Sequence, residues 1–157
     1  MRFLRTLRLD NSDLQVFPRA AAPGEWAVPG SFAFADADIQ ALAGKEMQAF
    51  RNGWLGTESF GRATLVEVVE IDDAGFSQVV ERLARHFVEV YGAPGLTAAL
   101  PAAREEADYA LGLSDHKLHS LLAIERAPGP SGLIERVRVI RPERAADHAR
   151  IWEIEPE

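Results

Sequence analysis

The stretch Ala63-Thr-Leu-Val-Glu-Val-Val-Glu-Ile71 and the helical repeat after it, residues 75–91, decide the fold class. The first has apolar side chains on both faces of an extended chain, which indicates a central strand of a sheet. The second has an apolar side chain at every third or fourth position, which predicts an amphipathic helix. Asp72 or Asp73 is suited to cap the start of this helix, and Gly92 is suited to end it.

The sequence before this stretch predicts short strands and one helix. Phe3–Leu9 alternates as a strand does, and Leu14–Phe17 is expected to return as the second strand of a hairpin. Residues 25–35 are expected to be short extended pieces interrupted by a Pro-Gly pair. Residues 39–50 carry a helical repeat, which Gly44 weakens.

The sequence after the long helix predicts another helix and a hairpin. A helix is expected over residues 101–112, with Pro101 in its first turn. Residues 117–126 and 133–141 are predicted strands, and the Gly- and Pro-rich connection between them favours antiparallel pairing. Residues 151–154 are expected to add a last edge strand.

The order of these elements lacks the regular strand–helix alternation of a parallel α/β fold. It predicts an α+β fold, in which a mainly antiparallel sheet has about three helices packed on one face. The 157 residues show no interdomain linker, so the prediction is a single domain over residues 1–157.

Composition excludes several classes of function. The chain has 17 Lys and Arg against 24 Asp and Glu, a net charge of -7, so no phosphate-backbone binding and no nucleic-acid partner are expected. It has no cysteine, which removes disulfides, thiolate metal sites and cysteine nucleophiles. It has no apolar run of about 20 residues, and its first ten residues do not form a signal peptide. We therefore expect a cytoplasmic protein without a membrane partner.

The sequence Asp115-His116-Lys-Leu-His119 is the first candidate site. Asp115 can orient His116 and raise its basicity, so these two residues are the candidate catalytic pair. The alternative is a polar turn that enters a strand. A metal site is a third possibility, because His116 and His119 share a face if the segment is helical. The remaining ligands would come from Asp115, His148, Glu105 or Glu106. On balance we predict no metal and no cofactor.

The loop over residues 53–61 is the second candidate site. Glycine lets the backbone approach a ligand closely, and large aromatic rings offer stacking surfaces. The predicted ligand-binding residues are Trp26, Gly53, Trp54, Gly56 and Phe60. The alternative is a loop whose aromatic side chains fill the core. The glycines match no phosphate-binding motif, and no serine lies in a G-x-S-x-G elbow.

Other titratable side chains are expected to face solvent. Glu105, Glu106 and Asp108 fall on the polar face of the second long helix, and adjacent residues point about 100° apart on a helix. His86 lies between a charged residue and an apolar one on the first long helix, and we expect it to be exposed.

Four segments carry a resemblance to a known family: Phe3–Asp10, Pro23–Phe34, Gly53–Leu65 and the Asp115-His116 pair. They resemble a family of small, uncharacterised, chiefly proteobacterial proteins, described as a domain of unknown function. The resemblance covers residues 1–126. It implies a bacterial origin and a soluble protein, and it transfers no activity and selects no catalytic residue.

These observations leave three hypotheses. The first is a noncatalytic binding or accessory protein, expected to be a homodimer and to have a protein partner. The second is a small-ligand-binding domain or small enzyme, whose pocket joins the 53–61 loop, Trp26 and the Asp115–His116 pair. The third is a metal-dependent version of the second. We rank them in this order.

Overall fold

A computed structural model of the chain describes residues 1–140. The strands are β1 (Arg2–Leu7), β2 (Trp26–Val28), β3 (Trp54–Gly56), β4 (Arg62–Ala63), β5 (Leu65–Glu70), β6 (Leu121–Gly129) and β7 (Gly132–Ile140). The α-helices are α1 (Asp13–Val16), α2 (Gly44–Asn52), α3 (Asp73–Tyr91) and α4 (Leu96–Leu113). Two short 3₁₀ turns cover Ser31–Phe34 and Ile39–Ala41.

All seven strands of the described residues form one antiparallel sheet in the order β4-β3-β2-β1-β5-β6-β7. The α+β fold class with an antiparallel sheet is therefore confirmed. β5 lies between β1 and β6, as the apolar residues on both of its faces predict. The predicted hairpin is also confirmed, because β6 and β7 pair along their full length.

The sheet curls so strongly that strands far apart in its order approach each other. The indole Nε1 of Trp54, on β3, donates to the carbonyl oxygen of Leu122, on β6, at 3.2 Å. Helix α2 packs against β6, and the side chain of Asn52 donates to the carbonyl oxygen of Ile124 at 3.2 Å. The segment from α2 to β3 therefore lies against β6.

Helices α3 and α4 pack against each other, and α4 also contacts β1 and β2. Small side chains let α4 approach closely, and the four that it buries are Ala99, Ala103, Ala107 and Ala110. These join the buried strand residues in one apolar core. The ends of α3 are as predicted: Asp72 Oδ1 accepts from the Gly75 amide at 2.7 Å, and Gly92 ends the helix at φ 77°.

Two predicted elements near the N-terminus are wrong. Residues 14–17 do not return as a strand: residues 14–16 belong to α1, a single helical turn, and Phe17 follows its end. Asp13 is buried at its start, and its Oδ1 accepts from the Thr64 hydroxyl at 2.7 Å. This long-range bond fixes the turn, and no local pattern reports it. Residues 31–34 form a 3₁₀ turn where an extended piece was expected.

The predicted boundaries of three other elements are also wrong. The helix over 39–50 is broken, because Gly44 has φ 57° and starts α2. Helix α4 begins at Leu96, so Pro101 lies inside it. The buried alanines Ala99 and Ala103 lie on either side of the proline, so the packed face of the helix continues past it. Strand β6 begins at Leu121, and residues 117–120 are a turn. The predicted edge strand over 151–154 lies outside the described residues.

Within residues 1–140, no helix combines the length and the apolar character that crossing a membrane requires.

Candidate functional site

Two buried arginines, which we call the floor, lie next to the candidate site. Arg62, on β4, is 6% exposed, and Arg126, on β6, is 3% exposed. These strands lie far apart in the sheet order, yet both guanidinium groups donate to the carbonyl oxygen of Pro29. The curl of the sheet makes this convergence possible.

Backbone carbonyl oxygens accept the hydrogen bonds of the Arg62 guanidinium group. Its Nη1 donates to Pro29 at 3.2 Å and to Gly53 at 3.0 Å, and its Nη2 donates to Gly30 at 3.0 Å. Burial and the charge of Arg126 lower the pKa of Arg62. The carbonyl oxygens favour the charged form, so the guanidinium stays protonated.

Arg126 is held in a similar way. Its Nε donates to the Ser31 hydroxyl at 2.8 Å and to Glu135 Oε2 at 2.9 Å. Its Nη1 donates to the Phe50 carbonyl oxygen at 2.8 Å. Burial lowers the pKa of Arg126, and its hydrogen bond to Glu135 opposes that effect. The Phe34 ring lies beside both guanidinium carbons, 4.9 Å from that of Arg62 and 5.7 Å from that of Arg126.

A groove along α4 opens next to this floor, and we call it the α4 groove. Its volume is about 470 Å³, and it is lined by Phe32, Phe87, Ala102, Glu105, Glu106 and Tyr109. Phe32, on the first 3₁₀ turn, and Phe87, on α3, meet edge to face with their ring centroids 4.8 Å apart. The groove therefore has aromatic walls on one side and helix α4 on the other.

Glu106 is the more buried of the two carboxylates that line this groove. Its Oε2 accepts from the Gly30 amide at 2.9 Å, the only hydrogen bond that it makes within residues 1–140. The side chain is half-buried, and burial is the main cause that raises its pKa. Glu135 raises the pKa further, and the two guanidinium groups lower it. Among the described residues its other oxygen accepts no hydrogen bond, so it is open to a ligand of the groove that Glu106 lines.

Tyr109 adds a second acceptor. Its hydroxyl donates to Glu135 Oε1 at 3.0 Å, so its proton is already committed and its oxygen can accept. Burial and the nearby Glu135 raise the pKa of Tyr109 to about 12. The phenol is therefore neutral over the whole physiological range.

Among the predicted ligand-binding residues, Trp26 lies next to the 53–61 loop. Its carbonyl oxygen accepts from the amide and the hydroxyl of Thr57, at 2.8 and 2.9 Å. Its ring is half-buried and contacts Phe3 edge to face, with the Arg5 guanidinium carbon 5.8 Å from the ring centroid. The loop thus meets the backbone of Trp26, and the ring packs on β1.

The two predicted glycines are needed by the protein's own packing. A Cβ on Gly56 would lie 2.4 Å from Glu25 Oε1, and one on Gly53 would lie 2.9 Å from the Ala49 carbonyl oxygen. Glu25 is buried and organises the loop. Its Oε1 accepts from the amides of Glu58 and Ser59 at 2.9 and 2.8 Å.

The loop's two large aromatic residues have different places. Trp54 is fully buried in the core. Phe60 is half-buried, has φ 56°, and stacks on the His86 ring with centroids 3.7 Å apart. His86 was expected to be exposed, but this stack makes it half-buried, and burial lowers its pKa. Sequence periodicity could not show that the loop reaches α3.

The predicted catalytic pair, Asp115 and His116, does not belong to the lining of the α4 groove. Asp115 lines a cavity of about 310 Å³ with Met1, Arg2, Leu111 and Ser114. The carbonyl oxygen of His116 accepts from Arg2 Nη1, and its amide donates to Ser114. Within residues 1–140, no side-chain hydrogen bond joins Asp115 to His116, and neither lines the α4 groove. Their catalytic role stays a prediction.

His119 does not join the pair in a metal cluster. It has φ 72°, and its Nδ1 lies 2.6 Å from Glu67 Oε2. In the described part of the chain, no three His, Asp or Glu side chains meet in a way that could hold a metal ion. His148, one of the ligands considered for the metal hypothesis, lies outside the described residues.

Sequence reasoning missed Glu106, Arg62 and Arg126. Glu106 was expected on a solvated face, yet it follows Ala103 by three residues and so lies on the buried alanine stripe of α4. Arg126 follows Leu122 and Ile124 at a spacing of two residues, so it lies on the same buried face of β6. Both positions were signalled by periodicity. Arg62 lies on a two-residue strand that gives no such signal.

A further cavity of about 460 Å³ lies between the end of α2 and the β6–β7 hairpin. Its lining includes Arg126, whose donors already serve Phe50, Ser31 and Glu135. The buried guanidinium group in this cavity is therefore already hydrogen-bonded. The α4 groove differs, because Glu106 there has an oxygen that accepts no hydrogen bond among the described residues.

The fold and the groove define an α+β protein with one curled antiparallel sheet and an acidic, aromatic-walled groove beside it. The chain belongs to the family of unknown function DUF6505, whose model matches residues 1–153. No curated protein and no solved structure matches the chain. The resemblance predicted from the sequence is confirmed as far as a domain of unknown function, and it covers more of the chain than residues 1–126.

Proposed function

We propose that this protein is a noncatalytic binding protein and that its ligand is a small molecule held in the α4 groove. The observation that carries the proposal is the open oxygen of Glu106 in a concave site with aromatic walls. Concave sites with apolar walls and a few directed polar groups are typical of ligand pockets.

The engagement of the neighbouring polar groups supports binding over catalysis. Arg62 and Arg126 donate to backbone carbonyl oxygens, and the Tyr109 proton is committed to Glu135. General acid–base catalysis needs a positioned side chain that gives a proton to the reacting group or takes one from it. In the described lining of the groove, the titratable groups besides Tyr109 are Glu105 and Glu106, which are adjacent on α4 and point about 100° apart, so they are not placed as a facing acid–base pair.

We propose the bacterial cytoplasm as the place where the protein acts. The acidic, cysteine-free composition supports this, because it needs neither disulfides nor an oxidising compartment.

The experiment is a ligand-observed NMR screen with a library of small organic cations, anions and neutral molecules. Ala102 lines the groove, so Ala102→Trp is expected to fill it. Ala98 is an exposed alanine on the same helix, and Ala98→Trp is the matched control. We expect compounds whose signal is lost with Ala102→Trp and kept with Ala98→Trp. If no compound shows this pattern, the groove is not a binding site.

A further inference from the structure

We infer that the ligand of the α4 groove is a small organic ammonium ion with an apolar, preferably aromatic, body. The inference rests on the proposed function and assigns its ligand class. It follows from three features of the groove: the kind of polar atoms that it presents, the rings that form its walls, and the negative charge of its lining.

The polar side chains that line the groove present hydrogen-bond acceptors. Glu105 and Glu106 are carboxylates, and Tyr109 gives its only proton to Glu135. The other lining residues, Phe32, Phe87 and Ala102, have apolar side chains. A ligand that pairs with this lining must therefore bring its own donors, and an ammonium group brings several on one atom.

The charge of the groove favours a cation over a neutral donor. Two carboxylates belong to its lining, and Glu135 lies just behind Tyr109. The guanidinium groups of Arg62 and Arg126 do not belong to the lining of the groove, and their donors already serve backbone carbonyl oxygens. An anionic ligand would meet carboxylates first, and like charges at short range repel.

The aromatic walls suit the same ligand. The edge-to-face arrangement of Phe32 and Phe87 leaves ring surface along the groove for an apolar body. Ring faces also attract a cation within about 6 Å of the centroid. Carboxylate and ring together recognise an ammonium group attached to an apolar arm.

The test measures the binding of three matched probes by titration calorimetry: 2-phenylethylammonium, the neutral 2-phenylethanol and the anionic 3-phenylpropionate. We expect the ammonium probe to bind at least about tenfold more tightly than the alcohol, and the carboxylate not to bind, since a hydrogen bond to a charged group contributes at least about one such factor. Ala102→Trp should abolish binding, and Ala98→Trp should leave it unchanged.

The variant Glu106→Gln tests the recognising charge. Glutamine keeps an acceptor for the Gly30 amide, so the groove is expected to stay formed, and circular dichroism checks this. Affinity for the ammonium probe should fall about tenfold or more, and affinity for the alcohol should not fall. Unchanged affinity for the ammonium probe in Glu106→Gln would overturn the inference.

The two proposals fail in different ways. If the alcohol or the carboxylate binds as tightly as the ammonium probe and Ala102→Trp abolishes that binding, the groove is a binding site and the ligand class is wrong. If none of the three probes binds, the ligand class is wrong, and the NMR screen decides separately whether the groove binds other molecules.

Discussion

At the scale of single residues, the protein stabilises its buried charged side chains with hydrogen bonds. Glu25 is 3% exposed, and its carboxylate accepts from two backbone amides of the 53–61 loop and from the Ser59 hydroxyl at 2.6 Å. An isolated buried charge is very unfavourable, and a fully hydrogen-bonded one is tolerated. Glu25 therefore acts as the anchor of this loop.

The first prediction concerns Glu25. Replacing it with glutamine puts an NH₂ group where a carboxylate oxygen accepts hydrogen bonds, so at least one buried donor loses its acceptor. Glu25→Gln is expected to lower the free energy of unfolding by about 1–3 kcal/mol, measured by urea titration. Glu58→Gln, in the same loop, is the control, because Glu58 makes an exposed ion pair with Arg82. Equal effects of the two variants would contradict the anchoring role.

The second prediction concerns the pH dependence of stability. The pKa of Glu106 is raised in the folded protein, so its contribution to stability is present below its ordinary pKa and is lost as the pH rises through the raised value. Glu106→Gln removes this loss. The stability of the variant relative to wild type should therefore increase as the pH rises above the ordinary pKa of a glutamate, about 4.3.

The control for this pH dependence is Glu105→Gln, because Glu105 is an exposed neighbour on the same helix. Denaturant unfolding at several pH values gives both curves. If the difference in stability between Glu106→Gln and wild type is the same at every pH, the pKa of Glu106 is not raised in the folded protein.

At the scale of secondary-structure elements, α3 is the helix that local sequence specifies best. Its 19 residues have a side-chain cap at the start and a left-handed glycine at the end. The cap satisfies one of the backbone amides that a helix leaves free at its first turn. This element joins the central strand β5 to α4, so its start fixes how the helical layer meets the sheet.

The third prediction concerns this cap. Asp72→Ala removes the oxygen that accepts from the Gly75 amide, and it should lower the free energy of unfolding by about 0.5–2 kcal/mol. Asp72→Asn keeps a capping oxygen and should retain most of the stability. Thermal and urea denaturation of both variants compare them. The same loss in both variants would show that the capping oxygen is not what stabilises this end.

The fourth prediction concerns the 53–61 loop. Gly56→Ala would place a Cβ 2.4 Å from the Glu25 carboxylate, and it should destabilise the protein by about 1–3 kcal/mol. Gly112→Ala is the matched control, because a Cβ there meets no atom within 4 Å and the position is helical. That variant should be stabilised by about 0.4–1 kcal/mol. If Gly56→Ala is as stable as wild type, the glycine is not required for packing.

At the scale of the whole molecule, the curl of the sheet creates the candidate site. Arg62 and Arg126 come from strands that four other strands separate, yet both reach Pro29. The 3₁₀ turn after Pro29 carries Phe32 and Phe34 to the same place. The curl of the sheet therefore brings together the two arginines, the aromatic wall and Glu106.

The fifth prediction concerns the oligomeric state. The nine residues of β7 form an edge of the sheet in the described part of the chain, and unpaired edges favour pairing with another chain. Two-fold dimers are the commonest assembly. We expect size-exclusion chromatography with light scattering to give twice the mass of one chain over a range of concentrations. A single-chain mass at every concentration would contradict the homodimer.

Much of the fold could be predicted from the sequence. The central strand β5, helix α3 and the β6–β7 hairpin each have a pattern that repeats within one element, and all three were predicted. The misassigned segment at residues 14–17 depends on a partner, because Asp13 bonds Thr64, which lies 51 residues away. Less of the site could be predicted: the 53–61 loop was recognised, but the packing of Gly56 against Glu25 and of Gly53 against Ala49 has no signal in the local sequence.

The sequence by itself determined the α+β class, the antiparallel hairpin and the limits of the best helix, because local periodicity, caps and turns act between residues near in the chain. Only the tertiary structure decided that Arg126 reaches Pro29, 97 residues away, and that Glu106 faces a groove. The physical reason is that burial and charge pairing depend on which distant segments the curled sheet brings together, and no local pattern records that choice.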